Sequence, residues 1–264
     1  MMKNNKYLIL RRISQSGILF LFVAGANFGI NIIKGNLSTA ILFNKFHLSD
    51  PYAVMQMFFA GYIPATEIII GAAVILLFYS VTGGRIFCSW VCPLNIITDF
   101  ASYIRKITGI QPVFKTKSMS KNIRYYVVGL GLFLSFISGI AAFELINPIS
   151  ILFRAVIFGT VFGISIVLTV FLFDIFIAEH GWCGHICPVG AFYAFTGKYR
   201  LLKVFHTKEN CTLCMKCKKV CPEIQVLDTI GKKSGNIKSS ECTDCGRCID
   251  VCDDNALKFN FKIK

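Results

Sequence analysis

Eight cysteines near the end of the chain fall into two runs of one spacing, C-x2-C-x2-C-x3-C. The first is Cys211, Cys214, Cys217 and Cys221; the second, twenty residues on, is Cys242, Cys245, Cys248 and Cys252. Three thiolates at steps of three wrap an iron–sulfur cubane, and in the dicluster arrangement the fourth cysteine of one run ligates the cluster of the other. The spacing therefore predicts two 4Fe-4S clusters with crossed ligands: Cys211, Cys214, Cys217 and Cys252 for the first, Cys242, Cys245, Cys248 and Cys221 for the second. Zinc knuckles or a disulfide framework are the alternative, since four thiolates also suit tetrahedral zinc. Zinc sites favour two C-x2-C pairs across a longer loop, whereas here a three-cysteine run occurs twice. Pro222 follows Cys221, but Asp253 follows Cys252; turned inward, that carboxylate lowers the potential of a nearby cluster.

The other four cysteines form two C-x3-C-P motifs, Cys88-Ser-Trp-Val-Cys92-Pro93 and Cys183-Gly-His-Ile-Cys187-Pro188. On an α-helix each pair lies on one face, with Pro93 and Pro188 tolerated only near a helix start or a kink. Four thiolates from two matching motifs suit a further cluster, a copper or zinc site, or a dithiol relay, and the residues do not separate these; the bland alternative is a buried pair of inert thiols. His185, inside the second motif, is a candidate ligand or proton carrier, or simply a satisfied interfacial histidine. All twelve cysteines fall in these four motifs, which suits metal ligation and implies a reducing compartment for them.

What must position these groups is strongly apolar: 55% of the 264 residues are hydrophobic and 25 are Phe, too many for an ordinary soluble domain. Four stretches, roughly 13–33, 59–81, 124–145 and 155–177, approach the 20 or so apolar residues that cross a bilayer. Lys and Arg number four in the N-terminal stub, seven in 82–124 and fourteen from Glu179 onward, against three elsewhere. The positive-inside rule then predicts a multi-pass protein of the bacterial inner membrane with both termini cytoplasmic. A secretory or twin-arginine signal is the competing reading of the first stretch, with Arg11-Arg12 and Ala24-Gly25-Ala26, but the apolar run continues past a typical signal core. The formal charge of +14 is accounted for by anionic clusters and basic cytoplasmic loops, so no nucleic-acid partner is expected.

An internal repeat is visible as well. Each half carries an apolar stretch, an acidic or amide residue before proline (Asp50-Pro51, Asn147-Pro148), a second apolar stretch and a C-x3-C-P motif. The expected fold is all-α transmembrane, a four-helix bundle of two parallel two-span repeats, with a small α+β dicluster ferredoxin-like module. Expected domains are a stub (1–12), the membrane domain (13–195) and a cytoplasmic ferredoxin-type domain (196–264). Lys198, Arg200 and Lys203 form a basic join suited to anionic headgroups.

Among ionisable residues of the stretches, Glu67 stands out, because an intramembrane carboxylate usually faces a cavity or the bundle interior, and Pro64 should kink its helix. With Glu144, Asn27 and Asn31 it defines a candidate polar pocket; the alternative is interhelical hydrogen bonding alone. Asp174 lies near enough to a span end to reach water. His47, in the first outer loop, is either a proton carrier or a solvated histidine.

Taken together, the four apolar stretches, the two C-x3-C-P motifs, the C-terminal dicluster module, Lys6-Tyr-Leu-Ile-Leu-Arg-Arg and Leu48-Ser-Asp-Pro-Tyr-Ala-Val resemble the NapH family. The resemblance covers essentially the whole chain. It implies the membrane subunit of a quinol dehydrogenase serving periplasmic nitrate reductase, taking electrons from menaquinol or ubiquinol to a periplasmic ferredoxin-type iron–sulfur subunit. Quinol oxidation releases two protons, a task that Glu67 and Glu144 would serve. Two other membrane groups share the motifs: polyferredoxins of nitrous-oxide respiration, which carry a flavin-bearing N-terminal domain, and copper-handling proteins of oxidase assembly, which carry an extra C-terminal sandwich domain. A docking subunit with structural clusters is a further alternative.

Overall fold

Glycine divides three of the four apolar stretches into shorter helices. The computed structural model describes residues 5–29, 32–114, 120 and 122–261. Helix α1 (Lys6–Asn27) is unbroken over 22 residues. A meander of β1 (Ile33–Gly35), β2 (Thr39–Leu42) and β3 (Phe46–Ser49) follows. Next come α2 (Pro51–Phe59) and α3 (Thr66–Thr82), separated by Gly61 in the left-handed region (φ 85°) and by Pro64, which has no N–H to give. Helix α4 (Leu94–Thr108) leads to α5 (Ile123–Ser138), which ends at Gly139 (φ 67°) before the short α6 (Ala142–Ile146). Helix α7 (Pro148–Phe158) ends at Gly159 (φ 65°) before α8 (Val161–Phe176). A left-handed glycine closes a helix by taking a conformation that other residues resist.

The predicted four-helix membrane bundle is therefore corrected. Among the described helices only α1 is long and apolar enough to cross a bilayer. Helices α3, α5, α7 and α8 have 17, 16, 11 and 16 residues, short of the 20 or so required, and the chain also forms two small antiparallel sheets. Hydropathy counts glycine as neutral, so a window of composition passes over the φ angle that stops the helix. Pro64 precedes α3 rather than kinking it.

The chain forms two units. One comprises Ser16–Leu77 and Cys92–Phe192. Within it α2 packs on α5, and α8 on α4 and α7; Phe22 meets Phe153 edge to face at 5.1 Å, both almost fully buried. Asp50 and Asn147 each precede a helix whose first residue is proline, and the Asn147 side chain accepts the Ile149 N–H at 3.1 Å, the cap a helix N-terminus needs. The second unit comprises Met1–Gln15, Phe78–Val91 and Tyr193–Lys264. Here two glycines let backbones touch: a Cβ on Gly84 would sit 1.8 Å from the Tyr193 carbonyl and 2.8 Å from the Gly197 Cα.

Candidate iron–sulfur centre

The second unit holds both cysteine runs. After α9 (Pro188–Thr196), β4 (Leu202–His206) forms the middle of a sheet with β5 (Gly235–Asn236) and β6 (Leu257–Phe261). Period-two alternation places Val204 and His206 inward, 1% and 0% exposed. Val226, Leu227, Ile230, Ile237 and Leu257 complete the core beneath the cysteines.

Each run makes the same backbone turn. The residues on either side of the second cysteine are left-handed: Leu213 (φ 59°) and Met215 (φ 57°) in the first run, Asp244 (φ 46°) and Gly246 (φ 74°) in the second. The third cysteine lies in a short helix, α10 (Lys216–Val220) or α11 (Arg247–Asp250). Left-handed Leu and Met are uncommon and persist where their surroundings fix them, typically at functional sites. Only Gly246 advertised this geometry in the sequence.

Two cavities result. Cys211, Cys214, Cys217 and Cys252 line one; Cys221, Cys242, Cys245 and Cys248 line the other. Each thus takes three cysteines from one run and the fourth from the other. The chemistry of the walls fits a cluster. Burial pushes the Cys217 thiol up, with the neighbouring cysteines adding to it, and burial carries Cys242 and Cys248 well above the usual thiol range. Four such thiolates coexist only around positive metal. In the first cavity the wall includes His206, whose Nδ1 lies 3.1 Å from the Lys233 carbonyl and whose buried Nε2 has no hydrogen-bond partner among the described residues.

The two surroundings differ. Around the second run two arginines are buried. Arg85, 2% exposed, donates from Nη1 to Glu223 Oε1 at 2.7 Å and to Glu241 at its carbonyl (2.9 Å) and carboxylate (3.2 Å). Arg200, 1% exposed, donates to the carbonyls of Ile237 and Cys242 and lies 3.6 Å from Asp244. Burial pushes the Asp244 carboxyl up to about 6 against the pull of Arg200. Around the first run Cys214, Leu213 and Met215 are exposed. Asp253 accepts from exposed Lys216 and holds that ammonium above its usual pKa range. Asp254 accepts from the Thr212 amide and hydroxyl.

The C-x3-C-P motifs are π-helical turns, Phe87–Val91 and Trp182–Ile186, rather than α-helical ones. In the second the Cys187 N–H reaches back five residues to the Trp182 carbonyl at 2.9 Å, a widening that recurs at functional sites. Pro93 immediately precedes α4 and Pro188 opens α9, as their chemistry requires. In both motifs the first cysteine is half-buried and the second buried. Asp174 does not reach water: it is 1% exposed, and its Oδ1 accepts the Trp182 N–H at 3.1 Å, capping the turn that carries Cys183. Arg124, fully buried, donates to the Gly184 carbonyl of the same turn. His185 is buried within it.

Glu67 and Glu144 have separate partners. A Cβ on Gly71 would lie 2.0 Å from the His47 carbonyl, so α3 crosses β3 in direct backbone contact. One turn earlier the exposed Glu67 carboxylate meets His47 Nδ1 at 3.0 Å. Glu144, in α6, accepts from the hydroxyls of Ser38 and Ser150 and from Asn147 Nδ2. Asn27 is the exposed last residue of α1; Asn31 lies outside the described residues.

A family model described as a 4Fe-4S binding domain matches residues 64–111 and again 151–208, each match containing one C-x3-C-P motif. Another, described as a 4Fe-4S dicluster domain, matches 203–253. The chain is 43% identical to the ferredoxin-type protein NapH of Haemophilus influenzae, over 97% of this chain and 90% of that one. It is 39% identical to the NapH of Escherichia coli, over 97% and 89%. To the methylamine utilization ferredoxin-type protein MauN of Methylorubrum extorquens it is 38% identical, over 99% and 91%. No solved structure matches.

Proposed function

The chain belongs to the NapH family of ferredoxin-type proteins, and from that membership we propose that it is the membrane electron-transfer subunit of a quinol dehydrogenase. It carries electrons from menaquinol or ubiquinol, through a periplasmic ferredoxin-type iron–sulfur partner, towards periplasmic nitrate reductase. The observation that carries this reading is the pair of cavities, each walled by four cysteines drawn three to one from the two runs. Cys211, Cys214, Cys217 and Cys252 would hold one 4Fe-4S cluster, and Cys242, Cys245, Cys248 and Cys221 the other. When bound, the clusters supply one-electron storage. The protein's own part is to bury the thiols, fix their turns and hold counter-charges near them. Residues 196–264 form the ferredoxin-type domain.

Helix α1 attaches the chain to the inner membrane. The amides of Tyr7 and Leu8, at its start, donate to Asp250 in the ferredoxin module, which supports placing the module beside that end of the helix. The abundance of Lys and Arg there makes it the cytoplasmic side. Glu67 with His47, and Glu144 with its hydroxyl donors, are the groups we assign to quinol protons. Similarity to MauN favours a second reading, in which the same unit serves methylamine utilization; comparing growth of a deletion strain on nitrate with growth on methylamine separates the two.

The direct test is anaerobic: the detergent-purified chain is reduced with dithionite, a menaquinone analogue is added, and the cluster spectra are followed. Reoxidation within the mixing time supports a quinone-linked carrier. Clusters that stay reduced refute it.

A further inference from the structure

Four consecutive carbonyls at the start of the second cysteine run, from Glu241 to Asp244, each accept a hydrogen bond from a side chain outside both runs. Arg85 donates to Glu241 O at 2.9 Å, Arg200 to Cys242 O at 3.3 Å, Ser89 Oγ to Thr243 O at 2.7 Å, and the Trp90 indole to Asp244 O at 3.1 Å. Three of these donors come from 85–90, the stretch that leads into the first C-x3-C-P motif. The corresponding part of the first run is tied instead through Thr212 to Asp254.

In a trans peptide the carbonyl of one residue and the N–H of the next point in opposite directions. Holding the Thr243 carbonyl against Ser89 therefore turns the Asp244 N–H the other way, and that N–H is hydrogen-bonded to the Cys242 sulfur. Holding the Asp244 carbonyl against Trp90 likewise directs the Cys245 N–H away from the motif. The motif itself cannot yield, because its other side is clamped: Ser14 Oγ donates to Trp90 O at 2.8 Å and Gln15 Nε2 to Ser89 O at 2.9 Å. Ser89 is 2% exposed and Gln15 fully buried.

We propose that Ser89 and Trp90 of the first C-x3-C-P motif are positioning residues of the second cluster. They fix the Thr243–Asp244 and Asp244–Cys245 peptide groups so that the Asp244 N–H faces the Cys242 sulfur, and they have no such part at the first cluster. Donors to cluster sulfurs favour the more negative, reduced form and so raise the potential. The second cluster's potential consequently depends on a sequence stretch more than 150 residues away.

The inference rests on the reading that Cys221, Cys242, Cys245 and Cys248 hold a cluster, and the experiment keeps the two apart. The full chain is purified anaerobically, its iron is measured, and a redox titration followed by electron paramagnetic resonance gives one potential per cluster. C245S identifies the second cluster's signal and C214S the first's. S89A and W90F, which remove one donor each, are expected to keep full iron content and to lower the second potential while the first stays put. Equal movement of both potentials, or of neither, overturns the positioning role while leaving the two-cluster reading intact. A wild-type chain lacking a signal sensitive to C245S overturns both.

Discussion

Arg85→Met removes a guanidinium from between two carboxylates in a site that is almost dry. Arg85 and Glu223 keep only 2% and 5% of their side-chain surface, and the Nη1 to Oε1 distance is 2.7 Å; Glu241, 18% exposed and 3.2 Å away, is nearer water and contributes less. Removing one partner of a buried pair leaves a charge without compensation and costs about 3–5 kcal/mol. Gln225 still donates to the other oxygen of Glu223 at 2.9 Å, which places the loss towards the lower end. Against the ~5–15 kcal/mol that hold an ordinary domain together, this is a large fraction. With urea slopes of about 1–3 kcal/mol per molar, a loss of about 3 kcal/mol should lower the midpoint by roughly 1–3 M, read anaerobically from cluster absorbance at matched iron content. Arg85→Met combined with Glu223→Gln should recover much of the loss, since the stranded charge is gone. A fall below ~1 kcal/mol for the single variant, or a double variant no better than the single, would refute the claim that this pair is desolvated and structural.

Crossed ligation makes Cys252→Ser disturb the first cluster and Cys221→Ser the second, as read by the signals that C214S and C245S define; the reverse pattern removes the assignment. Asp250→Ala should cost α1 about 1 kcal/mol by deleting the acceptor of the Tyr7 and Leu8 amides, visible as faster hydrogen exchange at those two amides with iron content unchanged. Glu67→Gln should slow quinol turnover and leave cluster content intact, because the exposed ion pair with His47 at 3.0 Å contributes little to stability; unchanged turnover would make that pair purely structural. Gly84→Ala should destabilise the ferredoxin-containing unit, since the new methyl would meet the Tyr193 carbonyl at 1.8 Å; a variant as stable as the parent would show that the backbones separate easily.

What could be read in advance was chemistry expressed as residue type and spacing. The steps of three in each cysteine run correspond to one repeated turn, and Pro93 and Pro188 stand where a residue without an N–H does no harm. What could not be read was conformation at neutral residues. Gly61, Gly139 and Gly159 are unremarkable in a hydropathy window, yet their positive φ angles end helices and replace the expected spans by shorter pieces. The same blindness covers Leu213 and Met215, whose left-handed geometry runs against their propensity. An α-helix would have set each C-x3-C pair on one face; the turns that carry Cys88 and Cys183 are π-helical instead. Asp174 looked like a residue at a water boundary and instead caps one of those turns. Partners far apart in sequence, such as Arg85 with Glu223 or Ser89 with Thr243, leave no periodic trace at all.

These long-range bonds give the ferredoxin-containing unit its internal logic. A ferredoxin module by itself needs a core and eight thiols, and here β4 and β6 supply the first and the two runs the second. The extra ingredients are Arg85, Ser89 and Trp90, and they all attach to one run. The first run keeps exposed residues at Leu213, Cys214 and Met215, whereas Arg85, Ser89 and Arg200, which bond to the second run, are buried. A dry environment strengthens every dipole and charge that acts on a redox centre, whereas solvent at an exposed rim screens them. A centre held by the second run would therefore be the one that such point interactions reach most strongly. That asymmetry follows from where four donors are placed.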